Sequence, residues 1–233
     1  SALSYSDKVK NSEGSSINTS ESLFIYANSN GFLGGFPSSR HSMSCSVIAS
    51  DKSGMQRDYS FSSNRKFENL KSIKDIGQDS ALRALRRLAP AKIKTGRYPV
   101  IFEAPVATSL ISALVSAVSG GNLFRETSFL LNSLGSKVAS SALSIKEDPF
   151  QLGAHASTSF DDDGVKVEPR VVLDKGNLQG YFLSTYSAKR LGMDTTGNAG
   201  GAHNLIISST VENLDKLIAQ MDTGLIVTEL LGH

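Results

Sequence analysis

Leu23-Phe24-Ile25-Tyr26, Gly31-Phe32-Leu33, Ser46-Val47-Ile48 and Tyr59-Ser60-Phe61 are short apolar or alternating runs that follow one another between residues 22 and 62. Asn28-Ser29-Asn30-Gly31 and Asp51-Lys52-Ser53-Gly54 separate them. Period-two segments punctuated by Asn, Asp, Ser and Gly read as antiparallel strands joined by tight turns, so this region predicts a meander.

Downstream the period changes. Ile76, Ala81, Leu82, Leu85 and Leu88 recur at helical spacing before Pro90, which predicts an amphipathic helix over residues 76–88. Residues 98–102 read as a strand leading into a second helix over 104–118. In that helix Val106, Leu110, Ala113, Leu114, Ala117 and Val118 suggest a largely buried element ended by Gly120-Gly121. Residues 165–173 and 178–183 flank Asp174-Lys175-Gly176-Asn177 as a hairpin, with Gly176 supplying a positive φ. A short helix at 186–191, a flexible loop at 195–201, a strand at 205–207, a helix at 211–221 and a strand at 225–228 complete the reading. Strands punctuated by single helices, without regular alternation, favour an α+β fold with largely antiparallel sheet and several packed helices. No internal repeat is visible.

Composition bounds the function. The 233 residues are 39% hydrophobic and 20% charged, and 24 basic residues face 22 acidic ones, for a formal charge of +2. That balance argues against a dedicated nucleic-acid surface. Cys45 is the only cysteine, so no intramolecular disulfide can form, and the start of the chain lacks the pattern of a secretory signal. The longest apolar region, 100–118, is broken by Glu103, Pro105 and several hydroxyl residues. These features predict a soluble, cytoplasmic protein. Both ends read as cut, since the chain opens on Ser1-Ala2-Leu3 and closes on Leu231-Gly232-His233.

Motifs for self-contained catalysis are lacking. His41, His155, His203, His233 and Cys45 have no zinc-site spacing. His41 and Cys45 are four apart on a predicted strand, where four residues span roughly 13 Å and cannot share an ion. Asp161-Asp162-Asp163-Gly164 lacks the alternating ligands and distal glutamate of a calcium loop and reads as a solvated turn. Arg83, Arg86, Arg87, Lys92, Lys94 and Arg97 could track phosphates, yet cations complementing a helix C-terminus explain them better. The glycine pairs at 34–35 and 120–121 and the glycines at 197–201 fit neither a dinucleotide fold nor a P-loop. Tyr186 and Lys189 have the wrong spacing for a dehydrogenase dyad, and no Gly-x-Ser-x-Gly elbow occurs.

The stretch Tyr181-Phe182-Leu183-Ser184-Thr185-Tyr186-Ser187-Ala188-Lys189-Arg190-Leu191-Gly192-Met193, with Thr195-Thr196-Gly197-Asn198-Ala199-Gly200-Gly201-Ala202-His203-Asn204 after it, resembles the signature of the PmbA-like (TldE) branch of the TldD/PmbA family. Asn11-Ser12-Glu13-Gly14, Arg57-Asp58-Tyr59, Gly120-Gly121 and Thr223-Gly224-Leu225-Ile226 add to it, so the resemblance covers nearly the whole chain. It implies that residues 1–233 are the core of a C-terminal domain, without an N-terminal α/β domain and final strands.

In the family, a TldD-like subunit carries a His-Glu-x-x-x-His motif that binds metal. The resemblance places Ser112 and Ala117 over its histidines and Ala113 over its glutamate, so no catalytic residue and no metal ligand are expected here. It thereby implies a non-catalytic subunit with no cofactor of its own, zinc residing in a TldD-like metallopeptidase partner. The pair would degrade or process unfolded and leader peptides of the microcin and antitoxin type; the chain on its own could form a homodimer. Neither membrane nor direct nucleic-acid contact is implied. Thr196, Gly197, Asn198, Gly200, Gly201, His203 and Asn204 are the candidates for contacts near a peptide chamber, because glycine allows close backbone approach. A plain tight-turn role is the competing reading. The family's older name, modulator of DNA gyrase, offers an alternative function, a gyrase- or toxin-associated binding protein without a peptidase role.

Overall fold

The computed structural model describes residues 1–208 and 213–231. The expected α+β class is what it shows, with antiparallel sheet dominating. Whereas the sequence reading treats residues 1–233 as the core of one domain, the chain divides into two compact units. One comprises Ser1–Ala27, Leu33–Lys94 and Gly153–His155, the other Asn28–Phe32, Thr95–Leu152 and Ala156–His233.

The first unit is built on the predicted meander, but its strands are far longer than the apolar runs. β1 (Val9–Ala27), β2 (Leu33–Asp51) and β3 (Gly54–Asn64) form an antiparallel sheet in that order. Both predicted turns are present, and Asn28 Oδ1 closes the first by accepting from the N–H groups of Asn30 and Phe32 at 3.0 and 3.2 Å. The strands extend through serine-rich sequence because cross-strand hydroxyl pairs substitute for apolar ones. Ser16 meets Ser44 at 2.9 Å and Ser22 meets Ser38 at 2.7 Å. Hydrophobic periodicity is blind to such pairing.

The predicted helix is α1 (Ile73–Arg86), begun by Ser72, whose hydroxyl accepts from Asp75 N–H at 3.1 Å. Ile76, Gly77, Ser80, Ala81 and Ala84 are its buried residues; Ala81 and Ala84 share a core with Val9, Val47 and Ala49. The buried carboxylate of Asp58 on β3 receives Arg83 Nε at 3.2 Å and Arg87 Nη1 at 3.5 Å. Part of the basic stretch therefore neutralises a core acid, a role beyond complementing the helix dipole.

In the second unit, β4 (Val100–Phe102) pairs in parallel with β9 (Leu225–Val227), an exception to the antiparallel expectation. A four-stranded antiparallel sheet has the order β7-β6-β5-β8, from β7 (Asn177–Leu178), β6 (Arg170–Asp174), β5 (Ile145–Glu147) and β8 (Leu205–Ile207). The β6–β7 turn carries positive φ at Lys175 (46°) and Gly176 (82°), the pattern of the primed two-residue turn. Helices α2 (Ala104–Ala117), α3 (Gly120–Phe124), α4 (Thr185–Leu191) and α5 (Leu214–Met221) complete the unit. For the predicted helix at 211–221, Val211 and Glu212 lie outside the described residues, as does His233.

The core of this unit gathers Val118, Leu123, Ile145, Val172, Leu173, Leu178, Leu183 and Ala188, each at most 2% exposed. Removing a leucine from such a site costs about 2–5 kcal/mol.

Two expectations about α2 fail. It is not largely buried: Ala117 is its one buried residue, Ile111, Leu114 and Val115 lean on the core, and Leu110 is 49% exposed. The many apolar residues predict burial, but Thr108, Ser112 and Ser116 line an exposed face and within this unit only the opposite flank of α2 finds the core. Nor does Gly120-Gly121 close α2. The helix ends at Ala117, and Gly120 opens α3 in close packing against Ser187 of α4.

Candidate functional site

The loop at 195–204 joins α4 to β8 and holds all the residues expected near a peptide chamber. Ser184 starts α4 with a reciprocal cap to Ser187, and Gly192 ends it at φ 67°. The chain then turns back across Leu183, whose N–H donates to Thr196 Oγ1 at 2.7 Å and whose carbonyl accepts from the N–H groups of Thr196 and Asn198. Gly197 and Asn198 are buried; Thr196, His203 and Asn204 are half-buried, and Gly200 and Gly201 are exposed at the tip.

The anchor of the loop is a buried polar network. Glu147, 1% exposed at the end of β5, accepts from Arg170 Nε at 2.6 Å, Asn198 Nδ2 at 2.8 Å and the His203 backbone N–H at 2.7 Å. Arg170 also donates to Asn198 Oδ1 at 3.1 Å and to the Tyr181 carbonyl at 2.9 Å, with its guanidinium 4.8 Å from the Phe182 ring centre. Thr196 Oγ1 donates to Asn198 Oδ1 at 2.7 Å, while the second hydrogen of the Asn198 amide reaches the Gly201 carbonyl at 3.1 Å. Every fork of the guanidinium and amide is used, which is what makes a buried charge tolerable.

Further ties hold the flanks. His203 Nε2 lies 2.9 Å from the Gly197 carbonyl. Asn204 donates to the Asp148 carbonyl at 2.8 Å and to Ser157 Oγ at 2.9 Å, and its Oδ1 accepts from Ala156 N–H at 2.9 Å. The expectation of a flexible loop is therefore corrected: glycines made 195–201 look loose, but the side chains between them are all committed to hydrogen bonds. The turn at 161–164 is present with Asp162 exposed, but it is not solvated throughout. Asp161 is 3% exposed and accepts from the N–H groups of Asp163, Val165 and Ala199 at 3.0, 2.9 and 2.9 Å. Neither Glu147 nor Arg170 stood out in the sequence, since an isolated charge in a strand carries no motif, and Asp161 drew notice only as part of a run of aspartates.

Other sequence candidates lie apart from this network. His41 and Cys45 are both on β2, His41 Nδ1 being 3.2 Å from Thr19 Oγ1, while Cys45 is a half-buried free thiol. His155 Nε2 lies 3.4 Å from the Ser63 carbonyl. Among the described residues no group of three or more His, Cys, Asp or Glu side chains could hold a metal ion. On α2, Ser112 and Ala113 are exposed and Ala117 is buried. Alanine offers no lone pair and a serine hydroxyl is a poor zinc ligand, so the three positions do not fit a zinc ion. No helix of the described residues is long and apolar enough to cross a membrane.

Comparison with known proteins places this geometry. Residues 1–88 match the model of the PmbA/TldA metallopeptidase central domain and residues 95–233 that of the PmbA/TldA metallopeptidase C-terminal domain. The chain is 41% identical over 232 residues to Metalloprotease PmbA of Escherichia coli O157:H7, covering 100% of this chain and 52% of that one. It spans about half the length of the curated relatives it matches. A solved structure from Bacteroides thetaiotaomicron, described as a modulator of DNA gyrase, superposes with a TM-score of 0.89 at 32% identity over 99% of this chain and 54% of the other. TldE from Thermococcus kodakarensis superposes with a TM-score of 0.84 at 25% identity over 100% of this chain and 55% of its own. With both of its units matched, this chain belongs to the PmbA/TldA metallopeptidase family.

Proposed function

We propose that this chain is the non-catalytic, TldE-like member of a TldD-type metallopeptidase complex that processes unfolded and leader peptides of the microcin and antitoxin type. What carries the reading is the composition of α2, which has no histidine and no carboxylate and on which the family resemblance sets Ser112, Ala113 and Ala117 over the metal motif. The likeness to a TldE structure supports it. On this reading zinc and the water-activating base belong to a TldD-like partner in the cytoplasm, and the present chain shapes the chamber that receives the peptide.

Strand addition is the expected mode of peptide capture. Among the described residues β1, nineteen residues long, pairs along one side only, to β2, and an open sheet edge binds an extended backbone with little regard for its sequence. The tip at Gly200-Gly201 is the second candidate contact, held in place by Asn198.

Co-expression of the protein with a TldD-like partner, followed by a peptide-cleavage assay of each subunit and of the pair, tests the proposal. Cleavage by the pair only, with zinc found in the partner only, is the expected result. Stoichiometric zinc in this chain, lost with activity on chelation, would overturn it.

A second reading, a binding protein acting on DNA gyrase or its toxins, draws on the description of the Bacteroides structure. The formal charge of +2 opposes direct DNA contact. Gyrase binding by this chain, with no effect on peptide turnover by the partner, would favour that reading.

A further inference from the structure

Helices α3 and α4 bring two arginines to one aromatic ring. Tyr186 and Arg190 are four apart on α4 and so share a face of the helix. Both reach Phe124 at the end of α3. The Tyr186 ring meets the Phe124 ring edge-on, with centres 5.5 Å apart, and the Arg190 guanidinium is 5.8 Å from the Phe124 centre. Arg125 places its own guanidinium 5.4 Å from the same ring and makes only a long bond, 3.4 Å, to Asn122 Oδ1. Tyr186 is 63% exposed, and both arginines are exposed.

Each arginine closes a helix C-terminus, which accounts for one cation at each place. It does not account for their convergence. Among the described residues neither guanidinium forms an ion pair, although Glu126 and Asp194 are exposed close by in the sequence. A carboxylate fits the planar fork of either arginine, while the Tyr186 and Phe124 rings offer an apolar shelf beside it.

We propose that the Phe124–Tyr186 face, with Arg125 and Arg190 at its rim, is a docking site for an acidic peptide segment in which a carboxylate side chain neighbours an aromatic or aliphatic one. The site lies outside the 195–204 network and needs neither a metal nor a catalytic partner.

The test uses the purified chain and a blocked hexapeptide in which two glutamates flank a phenylalanine, alongside its twin with glutamines in their place. Calorimetry gives the affinities, and amide NMR shifts locate the contact. Saturable binding of the acidic peptide that moves the resonances of Phe124, Arg125, Tyr186 and Arg190 is expected, with affinity for the glutamine twin about tenfold weaker or worse. Arg125→Ala combined with Arg190→Ala should weaken the acidic peptide by a similar factor and leave the melting temperature unchanged, the residues being exposed. Tyr186→Ala should weaken both peptides. Equal affinity for the two peptides, shifts confined to other surfaces, or complete displacement of the peptide by equimolar inorganic phosphate would overturn the proposal.

Discussion

Asn198 donates its side-chain amide to Glu147 across 2.8 Å, and together with the His203 N–H this bond fastens a loop fifty-one residues further along the chain to the end of β5. Because Glu147 is 1% exposed and also holds the half-buried Arg170, its removal leaves that cation and two loop donors without their acceptor. Glu147→Ala is expected to destabilise the protein by about 3–5 kcal/mol in urea unfolding. Asn198→Ala should cost less in global stability yet raise amide exchange at Ala199 to Gly201. Unchanged exchange there would mean that the loop is held by its other bonds.

Asp58 gives the first unit a comparable test. Its carboxylate is addressed by Arg83 on α1 and by Arg87, the residue that caps the end of that helix. Asp58→Ala should cost about 1.5–3 kcal/mol, as expected for losing hydrogen bonds to charged groups. Arg86→Ala, at an exposed position of the same helix, should stay within about 0.5 kcal/mol. Equal effects of the two would show that the buried carboxylate has no special part in seating α1.

Gly120 packs so closely on α4 that a Cβ added there would overlap Ser187 Oγ and Cβ. Overpacking of this kind typically costs about 1–3 kcal/mol, so Gly120→Ala should lower the unfolding midpoint accordingly. Ser187→Gly placed in the same chain should recover part of the loss. Failure of that rescue would point to backbone conformation, and not to the contact with α4, as the reason for glycine.

Asp51, in the turn between β2 and β3, responds to pH. The Ser53 hydroxyl at 2.6 Å, the Ser53 N–H at 2.9 Å and Lys8 Nζ at 3.0 Å hold its carboxyl below the ordinary 3.8, at about 2. A carboxyl with a depressed folded pKa contributes stability in full above the unfolded value. That contribution fades as pH falls from 3.8 toward 2. In a carboxyl carbon-13 titration, Ser53→Ala should move the Asp51 midpoint upward toward 3.8. A midpoint that stays put would assign the depression to the Ser53 N–H and Lys8 instead.

From the order of residues alone came most of the elements and their kind, although β5 and α3 were not foreseen. The helical period of α1, the Asn28 and Asp51 turns and the positive φ of Gly176 depend on neighbours within a few positions, and each was legible for that reason. Tertiary structure alone decided the rest. Serine-rich strands of nineteen residues, a largely apolar helix with one buried residue, and a glycine loop locked by Glu147 and Arg170 all depend on groups far away in the chain. Burial and pairing are properties of space, and a residue such as Glu147 has no local neighbour that foretells which partners will surround it.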